Sequence, residues 1–427
     1  MNSWRMSRPT LLRCLALVLA GVGGIAAAGY FLAIMFIDTA CHTPLLVRFT
    51  PFPISRSCPF PLVHADDGER AAAALTIHSR ADVVSQRRAL NAYLWGSDET
   101  PFDLLPTEVH ANVQDRRVGM LPNLDHVDEL DTSFPFGFLA RGYHLVPVQG
   151  NGRLVIYCEG HEGSFTDDGR EKVSALLAAG FAVLAFDMPM RGVNEWPHRI
   201  ALPGLGAVPF EGESHWNLAI LESEHFLPLR MFFEPILRAL NHVERTGPYE
   251  LVAMLGLSGG GWVTTVYAAL DPRVDRSYPV AGSMPFFLWE EHPISHRHED
   301  EGDYEQRLQG LFSLASHLDL YTMGASGPGR RQVQILNRYD PCCFFGTRAR
   351  AYEPLIAEAV RAIGEGGSYR LVIDQTHEQH AISTHALGLI LEDASSPLCS
   401  EGESGCEGEA VAQLGTEVVR DRWAAVE

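Results

Sequence analysis

Residues 250–272 read ELVAMLGLSGGGWVTTVYAALDP. Leu251, Val252, Ala253, Met254 and Leu255 are apolar at successive positions, which predicts a short strand buried on both faces. A helical stretch over 262–270 stops at Asp271-Pro272. Between strand and helix stands Gly256-Leu257-Ser258-Gly259-Gly260, a G-x-S-x-G pattern. The short pattern is common by chance; the strand before it and the helix after it give it weight. A residue at so tight a turn holds a strained backbone, and flanking glycines let neighbouring chains approach. The Ser258 hydroxyl is therefore expected above the sheet edge, over a helix N-terminus that favours negative charge.

The same texture extends to both sides. Short apolar runs at 154–157, 181–186, 278–280, 332–336 and 369–373 read as further buried strands. Helical spacing is found at 171–179, 218–245 and 351–363. Strands that are apolar on both faces and alternate with helices predict an α/β protein, a mostly parallel sheet covered on both sides. No internal repeat is visible.

With the strand, the G-x-S-x-G turn and the helix in place, the sequence resembles the α/β-hydrolase superfamily over about residues 107–392. The resemblance implies a nucleophile, an acid and a histidine in that chain order. Ser258 matches the nucleophile. Asp340 follows the strand at 332–336 in Asn337-Arg338-Tyr339-Asp340-Pro341, where the family places its acid. The histidine is expected after the next strand, in Gln375-Thr376-His377-Glu378-Gln379-His380. His380 is the first choice because it directly precedes the next helix; His377 is the second. The histidine would take the serine proton, and Asp340 would orient its ring. The backbone N–H of Gly259 is one expected oxyanion donor. The other is expected in Cys158-Glu159-Gly160-His161-Glu162-Gly163-Ser164, with His161 the chosen residue. The match there to a His-Gly-Gly sequence is partial, and Glu159 and Glu162 are expected to be solvated.

Other patterns carry less. Asp187-Met188-Pro189-Met190-Arg191-Gly192 reads as a structural turn beside the site. His296, His298 and Asp300 form an H-x-H-x-D string without a neighbouring ligand set, so a charged lid segment is expected and no metal site. Residues 193–217 and 284–325 are lid candidates. Their Trp196, Phe210, Trp216, Phe286, Phe287, Leu288, Trp289 and Tyr304 offer an acyl or aromatic pocket lining.

The remaining organisation follows from charge and length. The chain has 427 residues, 33 basic against 53 acidic, and a net charge of −20. Arg5, Arg8 and Arg13 precede an uncharged run at 14–37, CLALVLAGVGGIAAAGYFLAIMFI, which is long enough to span a bilayer. Positive charge stays inside, so a cytoplasmic N-terminus and an extracytoplasmic body are expected; a cleaved signal peptide ending near Ala26-Ala27-Ala28 is the competing reading. So acidic a body excludes nucleic acid as a partner. The expected divisions are a tail and anchor at 1–38, a Pro-rich stalk at 39–65, a hydrolase domain at 66–394, and an acidic loop with a C-terminal helix at 395–427. Export would allow local disulfides joining Cys41 to Cys58 and Cys399 to Cys406. The overall expectation is a membrane-anchored serine hydrolase cleaving a small ester or acyl substrate, with no cofactor implied. Amide cleavage, acyl transfer or a non-catalytic binding module are the alternatives.

Overall fold

A computed structural model describes residues 63–212, 214–289 and 302–397. The first elements are α1 (Asp67–Ala74) and α2 (Arg80–Trp95). Ser79 caps α2 by accepting the Asp82 N–H (3.2 Å), and Gly96 ends it in the left-handed conformation, φ 72°. Strands β1 (Glu108–His110), β2 (Leu124–Ser133), β3 (Leu139–Pro147), β4 (Arg153–Cys158) and β5 (Ala182–Phe186) follow, with α3 (Arg170–Ala178) between the last two. A hairpin of β6 (Arg199–Leu202) and β7 (Gly206–Pro209) precedes α4 (Glu234–Thr246). The second half runs β8 (Leu251–Leu257), α5 (Gly259–Leu270), β9 (Arg276–Val280), α6 (Gln309–Leu314), α7 (His317–Ala325), β10 (Arg331–Asn337), α8 (Glu353–Ile363), β11 (Ser368–Asp374) and α9 (Thr384–Ser395).

Among the described residues nine strands make one sheet, in the order β1-β2-β3-β5-β4-β8-β9-β10-β11. Every pairing from β5 to β11 is parallel, and β1, β2 and β3 join antiparallel at one edge. Side chains alternate across the sheet. Leu154, Ile156 and Cys158 pack with α2, α4 and α5, whereas Val155 and Tyr157 pack with α3 and α9. Both faces are covered, which is why these strands are unbroken apolar runs. All twelve residues of α5 are buried. Ser258, Asp340 and His380 follow the C-terminal ends of β8, β10 and β11, the edge at which open α/β sheets bind ligands.

Three expectations change. The helix expected at 218–245 is broken into two short 3₁₀ segments, His215–Leu221 and Pro228–Phe232, before α4 begins. Pro228 and Pro235 lack the N–H a continuous helix needs, and Leu227, before Pro228, is extended at φ −102°, ψ 111°, while Pro235 is tolerated in the first turn of α4. The lid candidate 284–325 is not one unit: all nine residues of α7 are buried, and α7 packs on α5 as part of the crossover from β9 to β10. Finally, β2 is a ten-residue strand in a charged stretch where no long strand was expected.

No helix among the described residues is long and apolar enough to cross a membrane. The apolar run at 14–37, residues 39–62 of the stalk expected at 39–65, Cys41, Cys58, Cys399, Cys406, the string at 295–300 and residues 398–427 of the tail expected at 395–427 lie outside the described residues.

Candidate active site

The turn from β8 into α5 puts Ser258 at φ 55°, ψ −122°. Such backbone costs a non-glycine residue of order 1–3 kcal/mol and persists only where the surroundings enforce it. Here the Ser258 N–H donates to Val280 O (2.9 Å), and Ser258 O accepts from the Trp262 N–H (2.9 Å). The glycines are required by proximity. A Cβ on Gly256 would be driven into Gly260 O and would lie 2.7 Å from Thr264 Oγ1; one on Gly260 would lie 2.6 Å from Glu159 O at the end of β4. A Cβ on Gly160 would sit 3.0 Å from Ser258 Cβ, so the loop after β4 lies directly against the serine.

Asp340 is fully buried. Its Oδ1 accepts the N–H groups of Cys342 (2.8 Å) and Cys343 (3.2 Å), and its Oδ2 lies 2.8 Å from His380 Nδ1. Nε2 of His380 is buried with no hydrogen-bond partner among the described residues. Burial pulls the His380 pKa down, but the charge and hydrogen bond of Asp340 outweigh it, and the net direction is up.

His377 is not brought to Asp340. Its Nδ1 accepts the Gln379 N–H (3.2 Å), and its Nε2 faces Asn337 Oδ1 (3.2 Å). Asn337 was not anticipated. Its amide also donates to Asp340 Oδ2 (3.2 Å) and Ala381 O (3.0 Å), tying the acid turn to the histidine loop. Cys342 and Cys343 are joined as a disulfide, a pairing the sequence reading did not anticipate.

Gly259 is the first residue of α5, so its N–H is one of the four without an intrahelical acceptor. The His161 ring lies over it: a Cβ on Gly259 would come within 2.6 Å of His161 Nδ1. Glu159, expected to be solvated, is instead buried; Oε2 accepts the Tyr157 hydroxyl (2.6 Å) and Oε1 the Gly160 N–H (2.9 Å). Burial raises its pKa, against the two hydrogen bonds. Glu162 is exposed. Asp187 is the structural turn residue expected. Its carboxylate accepts the N–H of Phe165 (2.8 Å) and Val193 (2.9 Å) and the Ser164 hydroxyl (2.8 Å).

A further carboxylate reaches the site from a distant part of the chain. Glu305 is fully buried, with Oε1 2.7 Å from His161 Nε2 and Oε2 3.0 Å from His215 Nδ1. Burial alone would raise its pKa; the two imidazoles hold it well below the usual carboxylate range. Of the candidate pocket-lining residues, Phe210, Leu288 and Tyr304 are buried in the core, whereas Trp216 (51% exposed) and Phe286 (39%) face solvent.

No family model and no curated protein matches the sequence. Solved structures do. A methylesterase, BT1017, superposes with a TM-score of 0.50 at 14% identity, over 77% of this chain and 67% of that one. An acetyl xylan esterase from Paenibacillus sp. R4 gives 0.42 at 15% identity over 81% and 99%. Acetyl xylan esterase 1 from Thermoanaerobacterium sp. JW/SL YS485 gives 0.44 at 14% identity over the same shares. The chain has the α/β-hydrolase fold.

On that fold, two groups that include proposed site residues bring metal-binding residue types together. In His161, His215 and Asp303 both imidazoles already lie at hydrogen-bond distance from Glu305. In Cys342, Cys343 and His380 the sulfurs are bonded to each other and offer no thiolate. Neither is read as a metal centre. What the arrangement can do is acid–base chemistry on a hydroxyl: an oriented imidazole with a free nitrogen, a strained serine, and N–H groups at a helix start.

Proposed function

We propose that this protein is a serine hydrolase that cleaves an ester through an acyl-enzyme. The observation that carries this reading is His380, oriented by buried Asp340 at 2.8 Å, with its other ring nitrogen unpartnered. In this reading Ser258 Oγ attacks the carbonyl carbon while His380 Nε2 takes its proton. The resulting oxyanion is held by the N–H groups of Gly259 and His161. Collapse breaks the bond to the alkoxide, which leaves with the proton from His380. Water then repeats the sequence on the acyl-enzyme and releases the acid. Asp340 stabilises the imidazolium in each half-reaction without itself taking the proton. Loss of one oxyanion donor typically costs roughly 10²–10³ in rate.

A methylesterase on the same fold makes an ester the first substrate class to test. In the same proposal, residues 14–37 anchor the protein in a membrane and the catalytic body lies on the extracytoplasmic side. The support is the uncharged run behind three arginines. Retention in the membrane pellet after alkaline extraction is expected, and release of the full chain would refute the anchor.

The chemistry is tested by a fluorescent fluorophosphonate and mapping of the labelled peptide. Labelling at Ser258 that Ser258→Ala and His380→Ala both abolish is expected. A folded protein that takes no label would refute the mechanism.

A further inference from the structure

We propose that His161 acts through its side chain as well as its backbone. Glu305 holds the ring as an imidazolium, and Nδ1–H is a third, charged donor to the oxyanion formed at Ser258. Glu305 and His215 are positioning residues. The inference rests on the serine-hydrolase reading above.

Four observations carry it. First, the ring stands beside the first proposed donor: a Cβ built on Gly259 would lie 2.6 Å from Nδ1, and one built on Gly160, in the same loop as His161, would lie 3.0 Å from Ser258 Cβ. Second, Nδ1 has no hydrogen-bond partner among the described residues, whereas Nε2 is committed to Glu305 Oε1 (2.7 Å) with Asp303 Oδ2 at 3.3 Å. Third, Glu305 is fully buried, and a carboxylate so placed is stable only if paired. Fourth, its other oxygen is fixed by His215, whose Nε2 lies 2.9 Å from Pro189 O and whose ring packs edge-on against Phe232. The carboxylate therefore cannot swing away from His161 without leaving His215 unpaired.

The groups that face His161 fix the sign of the pH effect. Glu305 and Asp303 come from the chain before α6, His215 from the 3₁₀ turn before α4, and Arg191 from the turn after β5; His380, itself influenced by Glu162, is close enough to feel the charge of His161. Burial and Arg191 disfavour the cation; the two carboxylates favour it, and they prevail. The donor is thus present at low pH and is lost as pH rises through the raised His161 pKa. A neutral His380 is needed as base, so activity is lost as pH falls through its own pKa. Loss of activity with falling pH (the acid limb) is therefore assigned to protonation of His380, and loss with rising pH (the basic limb) to deprotonation of His161.

The test measures kcat and KM for a p-nitrophenyl ester across pH, on the full chain and three variants. Glu305→Gln is expected to lower kcat about 10²-fold with KM within about threefold. It should also move the basic limb to lower pH and leave the acid limb in place. His161→Asn, which keeps an amide donor near the Nδ1 position without a titrating proton, should lack the basic limb and exceed His161→Ala in kcat by about tenfold. A basic limb unmoved in Glu305→Gln, or His161→Asn no better than His161→Ala, would overturn the inference. A purely structural role would lower the unfolding midpoint without moving the limb. Fluorophosphonate labelling separates the two readings. Ser258 labelled in the wild type with the limb unmoved refutes this proposal alone; an unlabelled wild type refutes both.

Discussion

Asp340→Asn is the sharpest probe of the candidate site, because the surroundings dictate which way the new amide must point. Oδ1 of Asp340 accepts two backbone N–H groups, from Cys342 at 2.8 Å and Cys343 at 3.2 Å. An amide nitrogen there would face two donors with a third. The asparagine carbonyl is therefore held at the Oδ1 position, and the NH₂ takes the Oδ2 position 2.8 Å from His380 Nδ1. That nitrogen must then accept, which moves the ring proton to Nε2. A ring with its proton on Nε2 cannot take another from a serine hydroxyl. The wrong tautomer costs a triad about 10⁴ in kcat, or about 5 kcal/mol of barrier. The backbone contacts are kept, but the new NH₂ also faces the Asn337 amide that donates to Oδ2 at 3.2 Å, so a stability loss of about 1–3 kcal/mol is expected beside the loss of activity. The assay is kcat for a p-nitrophenyl ester together with the fluorophosphonate labelling rate of Ser258. A second readout is the acid limb. Asp340 is what holds the His380 pKa up against burial, so residual activity should persist to lower pH in the variant. Activity within tenfold of the wild type would refute the assignment of Asp340, whatever the fold.

Three further outcomes are expected. At φ 55°, ψ −122° an alanine is as strained as the serine and a glycine is not, so Ser258→Gly should be about 1 kcal/mol more stable than Ser258→Ala; equal urea midpoints would contradict the strain. Gly169→Ala drives a methyl into Glu159 Oε2 and to 2.8 Å from the Tyr157 hydroxyl, and should cost about 1–3 kcal/mol in urea unfolding; a change below about 0.5 kcal/mol would show that Glu159 is not fixed there. Burial raises the folded pKa of Glu159 above the ordinary glutamate value of 4.5, so the unfolded chain ionises first as pH rises. Stability should then fall between that value and the folded pKa, and Glu159→Gln should remove this part of the pH dependence. Parallel stability curves for the two proteins would rule out the raised pKa.

The parts of the fold legible in the sequence are those whose cause is local. Each parallel strand is buried on both faces and so announces itself as an apolar run, and the glycines around Ser258 stand within a few residues of what they accommodate. β2 is illegible by the same logic. It carries Asp128, Glu129 and Asp131, and its charge is answered across the sheet by Arg141, 3.2 Å from Glu129 and 3.3 Å from Asp131. α7 falls inside the lid candidate 284–325, and its His317, Asp319 and Thr322 break the apolar pattern of a core helix. Asp319 is in fact buried and accepts the Thr76 and Ile77 N–H groups from the chain between α1 and α2.

Glu159, Glu162 and Glu305 set the limit of such reading, since no composition distinguishes them. Glu305 meets His161 across 144 positions, and only the folded chain reveals the pairing. Glu159 is different. Its N–H bonds to Phe186 O at 3.0 Å, which continues the β4–β5 ladder one residue past β4. Residues 157 and 159 therefore share a face of the sheet. A tyrosine two positions before a glutamate, at the end of a strand buried on both sides, brings its own donor to that carboxylate. Glu162, three residues further and beyond the strand, has no such neighbour and stays in water. The spacing that finds a buried acid here is thus the period of two, read past the point where the apolar letters stop.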